Sequence, residues 1–166
     1  MKNISSDIGN YIAGFTDGEG SFNISIKKRL DYKESWKISA SFNISQKDKV
    51  ILAWIKHILG CGTLRERKDG VVYYEVTNIT SLHDVIVPFF KKFGFRSAYK
   101  KNNFRIFSDI VSRMYAGEHL TKEGLQKILE LRETLNPGIG RKRKYILTDV
   151  IISEESPETT RKTLLD

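Results

Sequence analysis

Two neighbouring stretches of the chain alternate strictly between apolar and polar positions. From Ser21 to Arg29, Phe22, Ile24 and Ile26 fall on one side, and Ser21, Asn23, Ser25, Lys27 and Arg29 on the other. From Trp36 to Ser45, Ile38, Ala40, Phe42 and Ile44 alternate with Lys37, Ser39, Ser41 and Asn43. Period-two alternation predicts strands with one dry and one solvated face. The polar connection Leu30 to Ser35 joins them. A second hairpin is predicted from Thr63 to Lys68 and Val71 to Thr77 across Asp69-Gly70, a dipeptide that suits the positive φ of tight turns. Arg65 and Arg67 share one face of its first strand, and Tyr73, Glu75 and Thr77 one face of its second.

Helical spacing accounts for most of the rest. A helix is predicted from Ile8 to about Asp17, with Asp7 as N-cap. Gln46-Lys47-Asp48 opens another, whose apolar stripe is Val50, Ile51, Trp54, Ile55, Ile58 and Leu59, ended by Gly60-Cys61-Gly62. A third runs from about Ser81 to Phe93, bent at Pro88. After a loop from Gly94 to Lys101, helices are predicted over Asn103 to Tyr115 and Thr121 to Leu135, and Asn136-Pro137-Gly138 is a stop. Strands in adjacent pairs do not suit a doubly wound parallel sheet. They predict an α+β fold with helices on one face of a curved, mostly antiparallel sheet. Residues 1–166 read as a single domain, with a core over about 7–135 and a basic-then-acidic tail over 136–166.

Composition changes the picture in one respect. The chain has 166 residues, enough for a real core, and a net charge of +8. A basic surplus of that size points to a polyanionic partner. The polar sheet face carries Ser, Asn, Lys, Arg and Tyr, with Glu75 its only acid, and so suits the major groove of double-stranded DNA. An ordinary solvated face of an antiparallel sheet would carry more Asp and Glu. No apolar run approaches the ~18 residues of a membrane span, and the N-terminus lacks the apolar core of a secretory signal, so no membrane partner is expected. Cys61 is the only cysteine, which rules out an internal disulfide or a cysteine zinc cluster. The expected setting is intracellular and reducing, a bacterial cytoplasm or an organelle. His57, His83 and His119 are scattered in sequence and read as surface or core residues.

The most specific chemistry lies at the end of the first helix. Tyr11-Ile12-Ala13-Gly14-Phe15-Thr16 is apolar and small, and runs into Asp17-Gly18-Glu19-Gly20-Ser21-Phe22. Carboxylates at a helix C-terminus oppose the helix dipole and call for a compensating partner. A divalent cation with hard oxygen ligands is one. A solvated glycine-rich turn is the plainer alternative.

This stretch resembles the signature of the LAGLIDADG homing endonucleases, and the resemblance extends over roughly Asp7 to Arg113 in an αββαββα order. It implies a site-specific double-strand DNA endonuclease, of the kind encoded in mobile introns, cutting a long near-palindromic target by metal-assisted hydrolysis. It implies Glu19 as the metal-binding acid, where the family also uses Asp, with the Gly18 carbonyl as a second ligand. Asp17 matches a more structural acid. Gln46, within Ser45-Gln46-Lys47, matches a polar residue near the scissile phosphate. Lys100 matches the active-site lysine, Lys101 being the alternative. The expected catalytic set is therefore Glu19, Gln46 and Lys100, with Mg²⁺ as cofactor and Mn²⁺ or Ca²⁺ able to substitute for binding. Some dimeric relatives carry an active-site arginine near Val50; this chain has none there, leaving Lys47 or Lys49 to compensate.

The motif occurs once, which implies a homodimer through the helix Tyr11 to Thr16. Tyr11, Ala13, Gly14 and Asp17 are then expected at the seam, with the two Glu19 side by side. The residues expected to contact DNA are Ser21, Asn23, Ser25, Lys27, Arg29, Lys37, Ser39, Ser41, Asn43, Lys47, Arg65, Arg67, Tyr73, Glu75 and Thr77. Strands of about nine residues span ~30 Å, which is roughly nine base pairs per half-site. Two other readings share the fold: an RNA maturase whose partner is its own intron RNA, and a non-catalytic DNA-binding regulator.

Overall fold

A computed structural model describes residues 4–29, 31, 36–137 and 143–150. Ser5 opens the first helix in an extended conformation, its hydroxyl facing Ile8 N–H at 3.5 Å, as an N-cap residue does. Helix α1 spans Ser6–Glu19. It therefore starts earlier than the apolar spacing predicted. Asp7 is not its cap but an acid of its first turn, where it complements the dipole.

Strands β1 (Gly20–Lys28) and β2 (Trp36–Gln46) pair antiparallel from Gly20↔Ile44 to Lys28↔Trp36. Most of their connection lies outside the described residues. Helix α2 spans Lys49–Leu59, with the Asp48 carboxylate accepting from Val50 N–H at 2.8 Å. Its buried face is Leu52, Ile55 and Leu59. Val50, assigned above to the apolar stripe, is 77% exposed. Strands β3 (Thr63–Glu66) and β4 (Val72–Val76) are shorter than expected. Arg67 N–H bonds Val71 O and Gly70 N–H bonds Arg67 O, so the turn draws in residues counted above as strand. The sheet order is β1-β2-β4-β3, antiparallel throughout.

Helix α3 covers residues 79–93 in three pieces: Ile79–Ser81, a π-helical turn Leu82–Ile86, and Val87–Phe93. Val87 N–H donates to Leu82 O, and this wider turn falls where Pro88 has no N–H to offer. Helix α4 spans Ala98–Tyr115 and α5 spans Lys122–Thr134, with a short 3₁₀ turn, Glu118–Leu120, between them. The start of α4 is a correction. Ser97 caps it, accepting from Lys100 N–H at 3.2 Å, so Lys100 and Lys101 sit in its first turn rather than in a loop.

The core lies between the apolar sheet face and helices α1, α2, α3 and α4, with α5 packed on α4. Phe22 is its hub, with ring centroids 5.0–5.8 Å from those of Phe42, Phe90, Phe95, Phe104 and Phe107. Truncating such a ring costs about 3–5 kcal/mol. Gly9 lets α1 press against α3, because a Cβ there would lie 2.2 Å from the Phe93 ring.

The free edge of β1 is covered from the C-terminal side. Arg132 Nε donates to Ile24 O at 3.2 Å, and Asn136 Nδ2 to Phe22 O at 2.7 Å. Arg143 holds this cover in place by donating to Arg132 O and Leu135 O, and Tyr145 packs edge-on against Trp36. Covered edges do not recruit foreign strands. Residues 143–150, assigned above to the tail, thus pack on the domain. The rest of the tail beyond Pro137 lies outside the described residues. Among the described residues no helix is long and apolar enough to cross a membrane.

Candidate nuclease site and nucleic-acid interface

The strand register builds the polar face in rows. Ser21 stands opposite Asn43, Asn23 opposite Ser41, Ser25 opposite Ser39, and Lys27 opposite Lys37. Asn43 continues the first row to Glu75 and on to Thr63. Ser45, Tyr73 and Arg65 form the next. Ser45 and Thr63 therefore share the face, although the list above omitted them. Arg29 and Thr77 lie just past the ends of β1 and β4, Lys47 past β2, and Arg67 past β3, because pairing stops there.

Several of these side chains are already engaged. Arg65 forms an ion pair with Glu75. Arg67 donates to Tyr73 OH at 2.6 Å and pairs with Asp69 at 2.9 Å. Arg29 grips both carboxylate oxygens of Asp31 at 2.8 and 2.7 Å, and that hydrogen bonding holds the Asp31 pKa down at about 2. Asn23 Nδ2 donates to Ser21 Oγ at 3.0 Å. The arginines of the face are therefore held in exposed side-chain pairs.

The acidic end of α1 meets the start of α4. Asp17 Oδ2 accepts from Arg96 N–H and from Ser97 N–H, each at 2.9 Å, while its Oδ1 is buried without a hydrogen-bond partner. The Lys100 ammonium donates to Gly20 O. Burial pushes the Lys100 pKa below the ordinary lysine value, opposed by the negative charges of Asp17 and Glu19. Gly20 lets β1 leave the end of α1 this tightly, since a Cβ would lie 2.4 Å from Thr16 Cγ2. Glu19 is exposed, and no hydrogen bond or salt bridge to its carboxylate occurs among the described residues. β2 runs past Gly20↔Ile44 to Ser45 and Gln46, which brings Gln46 to the same end of the sheet. Its Oε1 accepts from Lys47 N–H at 2.8 Å.

On α1, Tyr11 is 53% exposed, and Gly14 and Gly18 face open space. Tyr11 stacks on Phe15 at 6.3 Å and meets Trp54 edge-on at 5.7 Å. Ala13 differs from the seam expectation: it is 3% exposed and belongs to this chain's own core, because it lies on the face that α1 turns to the sheet. Asp17 is likewise committed within the chain.

The LAGLIDADG endonuclease family pattern matches residues 12–111, and the chain belongs to that family. It is 37% identical over 145 residues to a probable intron-encoded endonuclease 2 of Neurospora crassa, covering 85% of this chain but only 32% of that protein. The archaeal intron-encoded homing endonuclease I-Vdi141I, solved in complex with DNA, superposes with a TM-score of 0.80 at 32% identity, covering 87% of this chain and 92% of that one. I-SmaMI, bound to its uncleaved DNA target in the presence of calcium ions, superposes with a TM-score of 0.76 at 26% identity, covering 95% of this chain and 54% of that one.

Proposed function

We propose that this protein is a homodimeric, Mg²⁺-dependent, site-specific DNA endonuclease of intron homing, acting in a reducing compartment inside the cell. The observation that carries the reading is the corner where the Lys100 ammonium bonds Gly20 O, one residue after the exposed Glu19, at the end of a polar, basic sheet face. The signature motif occurs once, and Tyr11, Gly14 and Gly18 leave an open stripe on α1, which supports pairing with a second copy.

Among the described residues no group of three or more acidic, His or Cys side chains could enclose a metal ion. The Glu19 carboxylate is exposed, with no protein group bonded to it among the described residues. Glu19 and the Gly18 carbonyl would hold a cation together with the partner copy and the scissile phosphates. A cation bound there would activate water and neutralise the leaving oxygen. Lys100 is the basic side chain of the same corner, and Gln46, at the end of β2, is the polar residue assigned to the scissile phosphate.

The seam is the stripe Tyr11, Gly14 and Gly18. Gly14→Leu is expected to weaken dimerisation by about 1–3 kcal/mol through overpacking, seen as monomers in sedimentation. The direct test of the activity is cleavage of a randomised-site DNA library by the purified protein with Mg²⁺. Double-strand cuts within one near-palindromic sequence of roughly eighteen base pairs are expected, and none in EDTA. Tight binding with no cut under any divalent cation would leave a regulator instead.

A further inference from the structure

We propose that Asp17 is a positioning residue for Lys100, acting through the N-cap of α4. This rests on the reading that Lys100 serves strand cleavage. Asp17 is separated by 79 and 80 residues from the two N–H groups it accepts, those of Arg96 and Ser97. Ser97 Oγ in turn accepts from Lys100 N–H at 3.2 Å, and Lys101 N–H donates to Ser97 O at 3.0 Å. The Lys100 ammonium then returns to Gly20 O, three residues beyond Asp17. The path is a closed ring: Asp17, the backbone at 96–97, the first turn of α4, the Lys100 side chain, and the strand that follows α1.

A lysine stem is flexible, so its head is placed only if its Cα is fixed and its ammonium is anchored. The ring does both. Phe95 packs on Phe22, Phe90 and Phe104 and anchors the start of this loop in the core, and the Asp17 carboxylate is the polar tie that holds the next two residues, 96 and 97, to α1. Without it the first turn of α4 is free to shift, and a displacement of about 1 Å costs on the order of 100-fold in rate.

The test uses the full chain and compares Asp17→Ala with Asp17→Asn. The asparagine keeps an oxygen that accepts both N–H groups; the alanine does not. Asp17→Ala is expected to lower single-turnover cleavage by about 10- to 100-fold while leaving DNA affinity in EDTA unchanged. Asp17→Asn should recover most of that loss. Combined with Lys100→Met, Asp17→Ala should add less than about threefold, since two residues acting through one path are not additive.

A second readout is independent of cleavage. Amine labelling followed by peptide mass spectrometry should show half-buried Lys100 reacting slowly beside exposed Lys101 in the parent and in Asp17→Asn, and the two reacting alike in Asp17→Ala. Unchanged Lys100 labelling in a folded Asp17→Ala protein overturns the proposal. So does an Asp17→Ala rate loss of the same size with and without Lys100. A shifted labelling pattern with full cleavage by Lys100→Met keeps the positioning and removes the lysine from catalysis. If Asp17→Ala does not fold, Ser97→Ala carries the same comparison, with Ser97→Asp as the restored cap.

Discussion

The corner at the end of α1 and the polar face of the sheet are held in opposite ways. In the corner, Asp17 and Lys100 bond to main-chain groups of distant segments: Arg96, Ser97 and Gly20. On the face, the arginines bond to side chains close by in the sheet, as in Arg65–Glu75 and Arg67–Tyr73. Main-chain partners belong to the fold and do not change with a point substitution. Exposed side-chain pairs are worth little, about 0–1 kcal/mol each, and are easily exchanged for contacts to a base.

The largest expected effect breaks the corner alone. Glu19→Gln should lower cleavage by on the order of 10³-fold and leave binding in EDTA intact or tighter, because the amide keeps the shape but not the charge a hard cation requires. A mutant that cuts at the parent rate would remove Glu19 from the metal site. Lys100→Met should follow, with a loss of about 100-fold in single-turnover rate and little change in affinity. Parent-rate cleavage with Lys101 intact would shift the role to Lys101 or remove it.

Arg67→Ala tests the face. It should relax preference at one or two symmetric target positions by about 1–3 kcal/mol, read from cleavage of every single-base variant. A uniform drop across all variants would make Arg67 a phosphate contact. Glu75→Gln is the mildest. It releases Arg65 from its ion pair, and should shift base preference near that residue while changing thermal stability by less than about 1 kcal/mol. A large stability loss would show that the pair belongs to the fold, and the contrast between corner and face would not hold there.

Legibility from sequence followed the range of the interaction involved. Both faces of β1 and β2 were readable, because a pleated strand turns successive side chains to opposite sides. The starts of α2 and α5 were readable, one just after Gln46-Lys47-Asp48 and the other at about Thr121. The cap of α4 was not: Ser97 follows the Gly94 turn, and the apolar spacing becomes helical only further on. The resemblance drew attention to Glu19 and Lys100, but the role of Asp17 in linking α1 to α4 left no local trace.

The sequence by itself determined the element order, the apolar core of the sheet and the basic character of its other face, since these follow from periodicity and charge within short windows. Tertiary structure decided that Ala13 turns inward while Gly14 stays open, that Arg132 and Asn136 cover the edge of β1 with Arg143 holding them there, and that Lys100 comes to rest on Gly20. Each of these depends on which distant segment packs alongside. A pattern of neighbours along the chain carries no record of that choice.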